Sequence, residues 1–454
     1  MGLFFSCWVF PMLAYRMFKK NGLQGPSPSF PFGNLNEMKK KINIKSPSSF
    51  GSNSNIITHD IHSTLFPYFD RWLKSHGKVF IYWLGTEPFL YIADPALLKK
   101  LSTEVKSKNW GKPAVFRHDR APMFGNGLVM SEGDEWLRNR HAATPAFKTY
   151  QLEGHGEPHW PDVPKIKSPA NDPLRAEPFY GVPLSKFLQP KKTLEARRLG
   201  KQIDQLLISI ITARKQSSPT TPPWHDLLGL LLQESGTEEL GRFTKGLTTQ
   251  QVVDECKTFF FGGHDTTALA ITWAMLLLAM HPEWQNPLRE EIREVVGDKQ
   301  IDVHMLASLK KLGWVISEVF RLYPSAPNAQ RQAREDIQVS DNVTIPNGTN
   351  MWIDIVGMHH DPALWGEDVN EFKPGRFKDD IHGGCKHKMG YLPFGFGGRM
   401  CIGRNLGFME IKIVLTLILS RFSFTISPTY CHSPCIMLTM RPSFGLPLVF
   451  QPLY

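Results

Sequence analysis

The chain has 454 residues, of which 42% are hydrophobic and 21% charged, with a formal net charge of +10. That is material for a large globular body with its own core, and it excludes an intrinsically disordered chain. The basic balance comes without a run of five or more Lys/Arg and without paired zinc-finger cysteines, so no nucleic acid is expected; an anionic membrane surface or an acidic protein partner suits the charge.

The N-terminus, MGLFFSCWVFPMLAYRMFKK, is apolar from Leu3 to Tyr15 and turns basic at Arg16, Lys19 and Lys20. A spanning helix needs ~20 apolar residues, so this stretch, interrupted by Pro11, reads as a short membrane anchor over 1–24 that need only dip into the interface. GPSPSFPFGN (25–34) is a Pro/Gly/Ser hinge, and 25–454 is expected to form a single domain. Residues 77–94 hold two β-branched and aromatic runs around Gly85-Thr86, a hairpin signal. Helical patterning dominates from 95 to 330, strand-like pieces return at 337–356, and the expected class is mainly α with a small β region.

Within this frame, GDEWLRNRHAATPAF (133–147) puts Trp136 and Arg140 at i, i+4, an indole N–H and a guanidinium able to grip a carboxylate of a large ligand. Residues 149–178 show no period, and Pro158 argues against a helix presenting His155 and His159 as a metal pair. The longest helix is expected over 248–282, with Thr248 and Gln251 as a capping box and Pro282 as its stop. Gly262 and Gly263 in its middle open a groove or let it bend, and Asp265 and Thr266 put an acid and an alcohol beside them, a possible proton relay. In SEVFRLYP, Glu318 and Arg321 pair at i, i+3 in apolar surroundings, and Arg376 of FKPGRF is a third partner for the carboxylate.

Six cysteines in so long a chain make no disulfide framework and point to a reducing, cytosol-facing compartment. Cys431 and Cys435 flank His432, a poor metal box. Cys401 stands apart, alone in the glycine-rich PFGFGGRMCIGRN (393–405). Such a turn points backbone N–H groups at a sulfur and leaves room for a flat macrocycle, and a lone thiolate is how haem iron is held where O–O bonds are cleaved.

These motifs together resemble the cytochrome P-450 superfamily of haem-thiolate monooxygenases. Phe394, Gly397, Arg399, Cys401 and Gly403 match its ligand loop, Glu318 and Arg321 its E-x-x-R helix with Arg376 completing the triad, GGHDTT its oxygen-activating helix, and Trp136 with Arg140 its propionate-binding helix. The wording of GPSPSFPFGNLNEM, WLGTEPFLYIADP and HPEWQNPLREEI looks like the plant clan acting on terpenoids and phytohormones.

The resemblance implies a triangular helical prism with haem b bound by Cys401 as axial ligand and by Trp136, Arg140, Arg331, Phe394 and Arg399. It implies proton delivery by Asp265 and Thr266, and NADPH electrons arriving through a flavoprotein reductase docked near Lys386, Lys388 and Arg404. The expected reaction hydroxylates a lipophilic small molecule at the endoplasmic reticulum membrane, with the catalytic domain facing the cytosol. Two departures stand out. Gly375 replaces the usual glutamate beside Arg376, and the irregular 149–178 segment stands where the family has several helices. The alternatives are a haem-thiolate isomerase or dehydratase needing no reductase, and an inactive relative from a faulty gene product.

Overall fold

The computed structural model describes residues 2–39, 57–147, 190–216, 226–234 and 247–453. Helix α1 (Phe10–Lys20) continues shorter helical turns that begin at Gly2. It is docked rather than free, because Tyr15 and Phe18 pack edge-on against Trp83 with ring centroids 6.5 and 6.2 Å away. Among the described residues no helix is long and apolar enough to cross a membrane, so the expected anchor is not a span there. Phe4, Phe5, Trp8, Phe10 and Leu13 nevertheless stay exposed.

The predicted hairpin forms as β1 (Val79–Leu84) and β2 (Glu87–Ile92), fully paired from Val79–Ile92 to Leu84–Glu87. Its alternating aromatic and aliphatic side chains are buried on both faces, which welds it into the core. Three later strands complete a five-stranded sheet in the order β1-β2-β7-β4-β3. They are β3 (Trp110–Gly111), β4 (Asn328–Ala333) and β7 (Asn350–Asp354), with β5 (Ile337–Ser340) and β6 (Val343–Ile345) forming a separate hairpin between the last two. Only β2 and β7 run parallel, since a crossover of more than two hundred residues separates them.

Four further helices set the site. They are α2 (Gly133–Ala143), α3 (Pro190–Gln216), α4 (Thr249–Met280) and α5 (Lys310–Leu322). The capping box of α4 is formed in both directions, and its 32 residues make it, at 1.5 Å each, roughly 48 Å long. Its C-terminal half, from Leu269 to Ala279, is buried almost all round, with Trp273 stacked on Tyr323 at 4.3 Å. The chain then makes α6 (Arg404–Leu419) directly after the cysteine loop, and α4 packs on both α5 and α6. Two small sheets close the C-terminal end, β8 (Phe422–Ile426) with β11 (Leu448–Pro452) and β9 (Pro434–Met437) with β10 (Thr439–Pro442). The architecture is mainly helical with a small β portion, as the sequence indicates. The 149–178 segment with His155 and His159 lies outside the described residues.

Candidate active site

The cysteine loop is shaped by two glycines that admit no side chain. Gly397 sits at φ +63°, and a Cβ on Gly398 would come within 1.9 Å of the Ser107 hydroxyl oxygen. Folded this tightly, the loop lets the Cys401 amide donate to the Phe394 carbonyl at 2.9 Å, while Arg140 of α2 donates to the Met400 carbonyl at 3.0 Å. Cys401 emerges exposed, just ahead of α6. The surrounding protein desolvates its thiol and pushes the pKa up; the Gly403 amide and the Arg140 and Arg404 charges pull against that and favour thiolate. Cys256, by contrast, is pushed up to about 12 by burial and then by Glu255, and is chemically inert.

Beside this loop stands a group of cations short of anions. Arg399 stacks over the Trp136 ring at 4.4 Å and donates to the Ser107 and Ser131 carbonyls, but its buried Nη2 has no partner among the described residues. Arg331 on β4 is buried and donates only to the neighbouring Gln330 carbonyl among the bonds described. Trp110 pairs with Ala333 and Gly111 with Gln332, so continuing that antiparallel register sets Lys112 opposite Arg331, a like-charge pairing that costs stability unless an anion intervenes.

Burial lowers Arg331 to about 10; burial and then Arg331 lower Arg399 to about 9. Burial followed by Arg331, Arg120 and Arg399 drives Lys112 far below the ordinary lysine value. The nearby carboxylate, Glu132, is already shared between Arg117 and Arg334. A cluster of positive charge that the described residues leave short of anions suits an external anion, such as the carboxylates of a large ligand.

On the facing helix, Cβ atoms added to Gly262 or Gly263 would meet nothing within 4 Å, so this flank of α4 is open. The glycines do not break the helix, which stays α from Thr249 to Met280. Thr266 donates from Oγ1 to the Gly262 carbonyl at 2.6 Å, and its own carbonyl accepts from Ser325 Oγ at 2.9 Å. Asp265, three residues on from Gly262, is tied to the C-terminal sheet. Its carboxylate is engaged by β10, accepting from Thr439 Oγ1 at 2.5 Å and from Arg441 Nη2 at 2.9 and 3.2 Å.

A fourth constellation is structural. Arg321 meets Glu318 in a two-pronged pair at 2.7 and 2.8 Å, with both side chains completely buried. Arg321 also donates to the carbonyls of His359, Val369 and Glu371, and Glu318 accepts from the Lys373 amide at 2.9 Å. Arg376 stands 3.6 Å from Glu318 but binds Asp368 more closely, at 2.7 Å. Asp368 fills the counter-ion role that Gly375 leaves open. Phe394 joins this helix to the cysteine loop, its ring 5.0 Å from Phe320.

The comparisons with known proteins agree with this geometry. The family model described as Cytochrome P450 matches residues 48–157 and 170–446. The chain is a cytochrome P450. This P450 is 34% identical to an Arabidopsis thaliana protein named cytokinin hydroxylase, over 98% of the chain and 93% of the relative. It is 34% identical to cytochrome P450 714A2 of the same plant, covering 95% of the chain and 92% of the relative. Cytochrome P450 714C2 of Oryza sativa subsp. japonica is 31% identical over 98% and 94%. The first of these alignments runs over 499 positions, 45 more than the chain has residues, so that relative carries at least 45 residues lacking here.

As a P450 the protein is an oxidoreductase, a monooxygenase whose cofactor is haem b and whose electrons derive from NADPH through a reductase. The residues present fit that group. Cys401 would supply the sulfur ligand, the open flank at Gly262 and Gly263 would leave room for a plane, and Arg399 Nη2, without a partner among the described residues, would with Arg331 and Lys112 receive carboxylates. Sequence reasoning had missed Lys112, Thr439 and Arg441. Each acquires its place through a strand pairing or a contact across more than a hundred residues, for which no local spacing exists.

Proposed function

We propose that this P450 hydroxylates a lipophilic, hormone-like small molecule at a membrane surface. The observation that carries the reading is the convergence of an exposed cysteine with amide and cation support, a buried cation cluster short of anions, and an open helix flank holding an alcohol. Bound haem b would activate dioxygen for insertion of one oxygen atom into a C–H bond. The chain's own residues do the rest. Burial raises the Cys401 pKa, the Gly403 amide and the Arg140 and Arg404 charges oppose that rise, and Arg331, Arg399 and Lys112 would neutralise the carboxylates. The Trp136 ring, 4.4 Å from the Arg399 guanidinium, helps hold it in place. Thr266 holds a proton at Oγ1, and Asp265 is the acid one residue away that replenishes it.

The relatives named for cytokinin hydroxylation support a hormone-like substrate, and the naming of others by P450 number alone leaves the class broad. Lys386, Lys388 and Arg404 are exposed near the cysteine loop and offer a basic face to an acidic reductase. The exposed Phe4, Phe5, Trp8, Phe10 and Leu13, followed by Arg16, Lys19 and Lys20, suit a helix lying in the interface of the endoplasmic reticulum membrane. Turnover with NADPH, a plant reductase and a panel of cytokinins and terpenoids tests the reading. A product carrying one added oxygen, dependent on NADPH, supports it. Rearrangement of a peroxide without NADPH would instead favour the isomerase or dehydratase alternative.

A second reading, an inactive relative, is favoured by one set of observations. The cytokinin hydroxylase relative has at least 45 residues that this chain lacks, and the family match breaks between 157 and 170. Phe260, Gly262, Gly263, His264 and Ala268 of α4 lie exposed. On that reading the flank is too open to retain haem.

A further inference from the structure

We propose that Glu255, with Asp254 beside it, is a positioning residue for the cysteine loop: the two acids tie α4 to the turn 125–131, and that turn and α2 carry the tie onward to Arg399 and Arg140. The inference goes beyond the proposed reaction and rests on it for the loop's part in holding haem. Asp254 Oδ2 accepts from the Asn126 amide at 2.9 Å, and Glu255 Oε2 accepts from the Leu128 amide at 3.0 Å. One turn further along α4, Thr258 Oγ1 donates to the Phe124 carbonyl at 3.2 Å. From α2, the Asn139 side chain hydrogen-bonds the Glu255 carboxylate.

Two glycines let the turn lie flat on the helix. Gly125 sits at φ +52°, where a Cβ would run into the Asp254 carboxylate, and a Cβ on Gly127 would strike the Asp254 carbonyl oxygen and the Thr258 hydroxyl. Glu255 is completely buried, and Thr258 and Asn139 are nearly so. A carboxyl taken so far out of water costs stability unless donors meet it, and here the donors are the turn and α2. Burial raises it to about 7 against the pull of the Leu128 amide and Asn139, so a neutral carboxamide of the same shape can take its place. The path from the turn to the sulfur is short. The Ser131 amide donates to the Gly127 carbonyl at 2.9 Å, which closes the turn, and the Ser131 carbonyl accepts from Arg399 Nη1 at 3.1 Å. Next to Asn139, Arg140 donates to the carbonyl of Met400, the residue before Cys401, at 3.0 Å. The acids thus brace, from the facing helix, both cations that grip the ligand loop.

Two measurements test this. Hydrogen exchange of the haem-free chain reads the tie directly. In E255A the amides of 126–131 should exchange several-fold faster while those of β1 and β2 stay unchanged, and E255Q should restore slow exchange at the turn. A turn that exchanges no faster in E255A would overturn the proposal, as would equal acceleration throughout the chain, which marks a merely destabilised fold. In the haem-loaded protein, E255A should lose haem to an apoglobin several-fold faster, and E255Q should return the rate toward wild type. In an R399Q background the same E255A substitution should add clearly less, because much of the tie acts through Arg399. An undiminished effect there would also overturn the proposal. A wild-type chain lacking the haem-thiolate spectrum would count against the monooxygenase reading instead, and exchange in the haem-free chain would still decide the tie.

Discussion

Glu318 and Arg321 are fully buried charges, and their value lies in being completed: the pair, three carbonyls and one backbone amide use the guanidinium and carboxylate together. Removing one partner strands the other, so Arg321→Met should cost about 3–5 kcal/mol in chemical denaturation. Lys112 makes the opposite case. It faces Arg331 in register, and Glu132, the carboxylate that attracts it, is already shared by Arg117 and Arg334, so Lys112→Met should raise the thermal midpoint of the haem-free chain. The same variant should lose haem faster, measured by transfer to an apoglobin, because an anion receptor has been weakened. A midpoint that falls would show Lys112 to be a packing residue.

Legibility at this scale follows sequence distance. The E-x-x-R pair and the Cys401 loop are written in spacings of a few residues, and they can be read directly. Lys112 directly follows a strand only two residues long, and Arg441 reaches Asp265 across a gap of 176 positions. Neither has a local signal.

The central helix α4 shows what an element adds to its residues. Its capping box and its stop before Pro282 are legible in the sequence, and the 32-residue helix forms accordingly. The choice between a bent helix and an opened flank was not plain, because glycine permits both. The structure selects the open flank, with nothing within 4 Å of either added Cβ. Gly263→Ala should therefore stabilise the haem-free chain by about 1 kcal/mol through helix propensity alone, read by thermal unfolding. It should also impair haem binding, since the methyl group enters the space the plane requires. At the other end of the chain, α1 shows the limit of a composition argument. Its apolar residues looked like a shortened anchor, but ring contacts to Trp83 divide them between the core and an exposed aromatic face.

For the molecule as a whole, several histidines are buried in neutral form. Burial is the main cause that lowers His59 and His359 to about 3 and His360 and His432 to about 4, with nearby positive charges adding to it for His59, His359 and His360. The unfolded chain binds their protons at about pH 6.5, so the folded state is favoured above that value. As pH falls from about 6.5 toward 4, each should withdraw about 1.4 kcal/mol of stability per pH unit. His62 has the opposite sign. Burial opposes its charge, but the charge and hydrogen bond of Asp354 outweigh that and raise its pKa. Its contribution is present below about pH 6.5 and is lost as pH rises through the raised value. Denaturation midpoints between pH 7 and 5 should fall steeply, and a flat profile would mean that these rings are hydrated in solution.

The whole-molecule question is whether a chain without counterparts for at least 45 residues of its cytokinin hydroxylase relative still closes around haem. The carbon monoxide difference spectrum of the reduced, full-length protein answers it most directly. Cys401 thiolate ligation in a closed site predicts a strongly red-shifted Soret band that disappears in Cys401→Ala. A band at the position of neutral-ligand haem, or no haem at all, would contradict the account and leave the monooxygenase function to this protein's relatives.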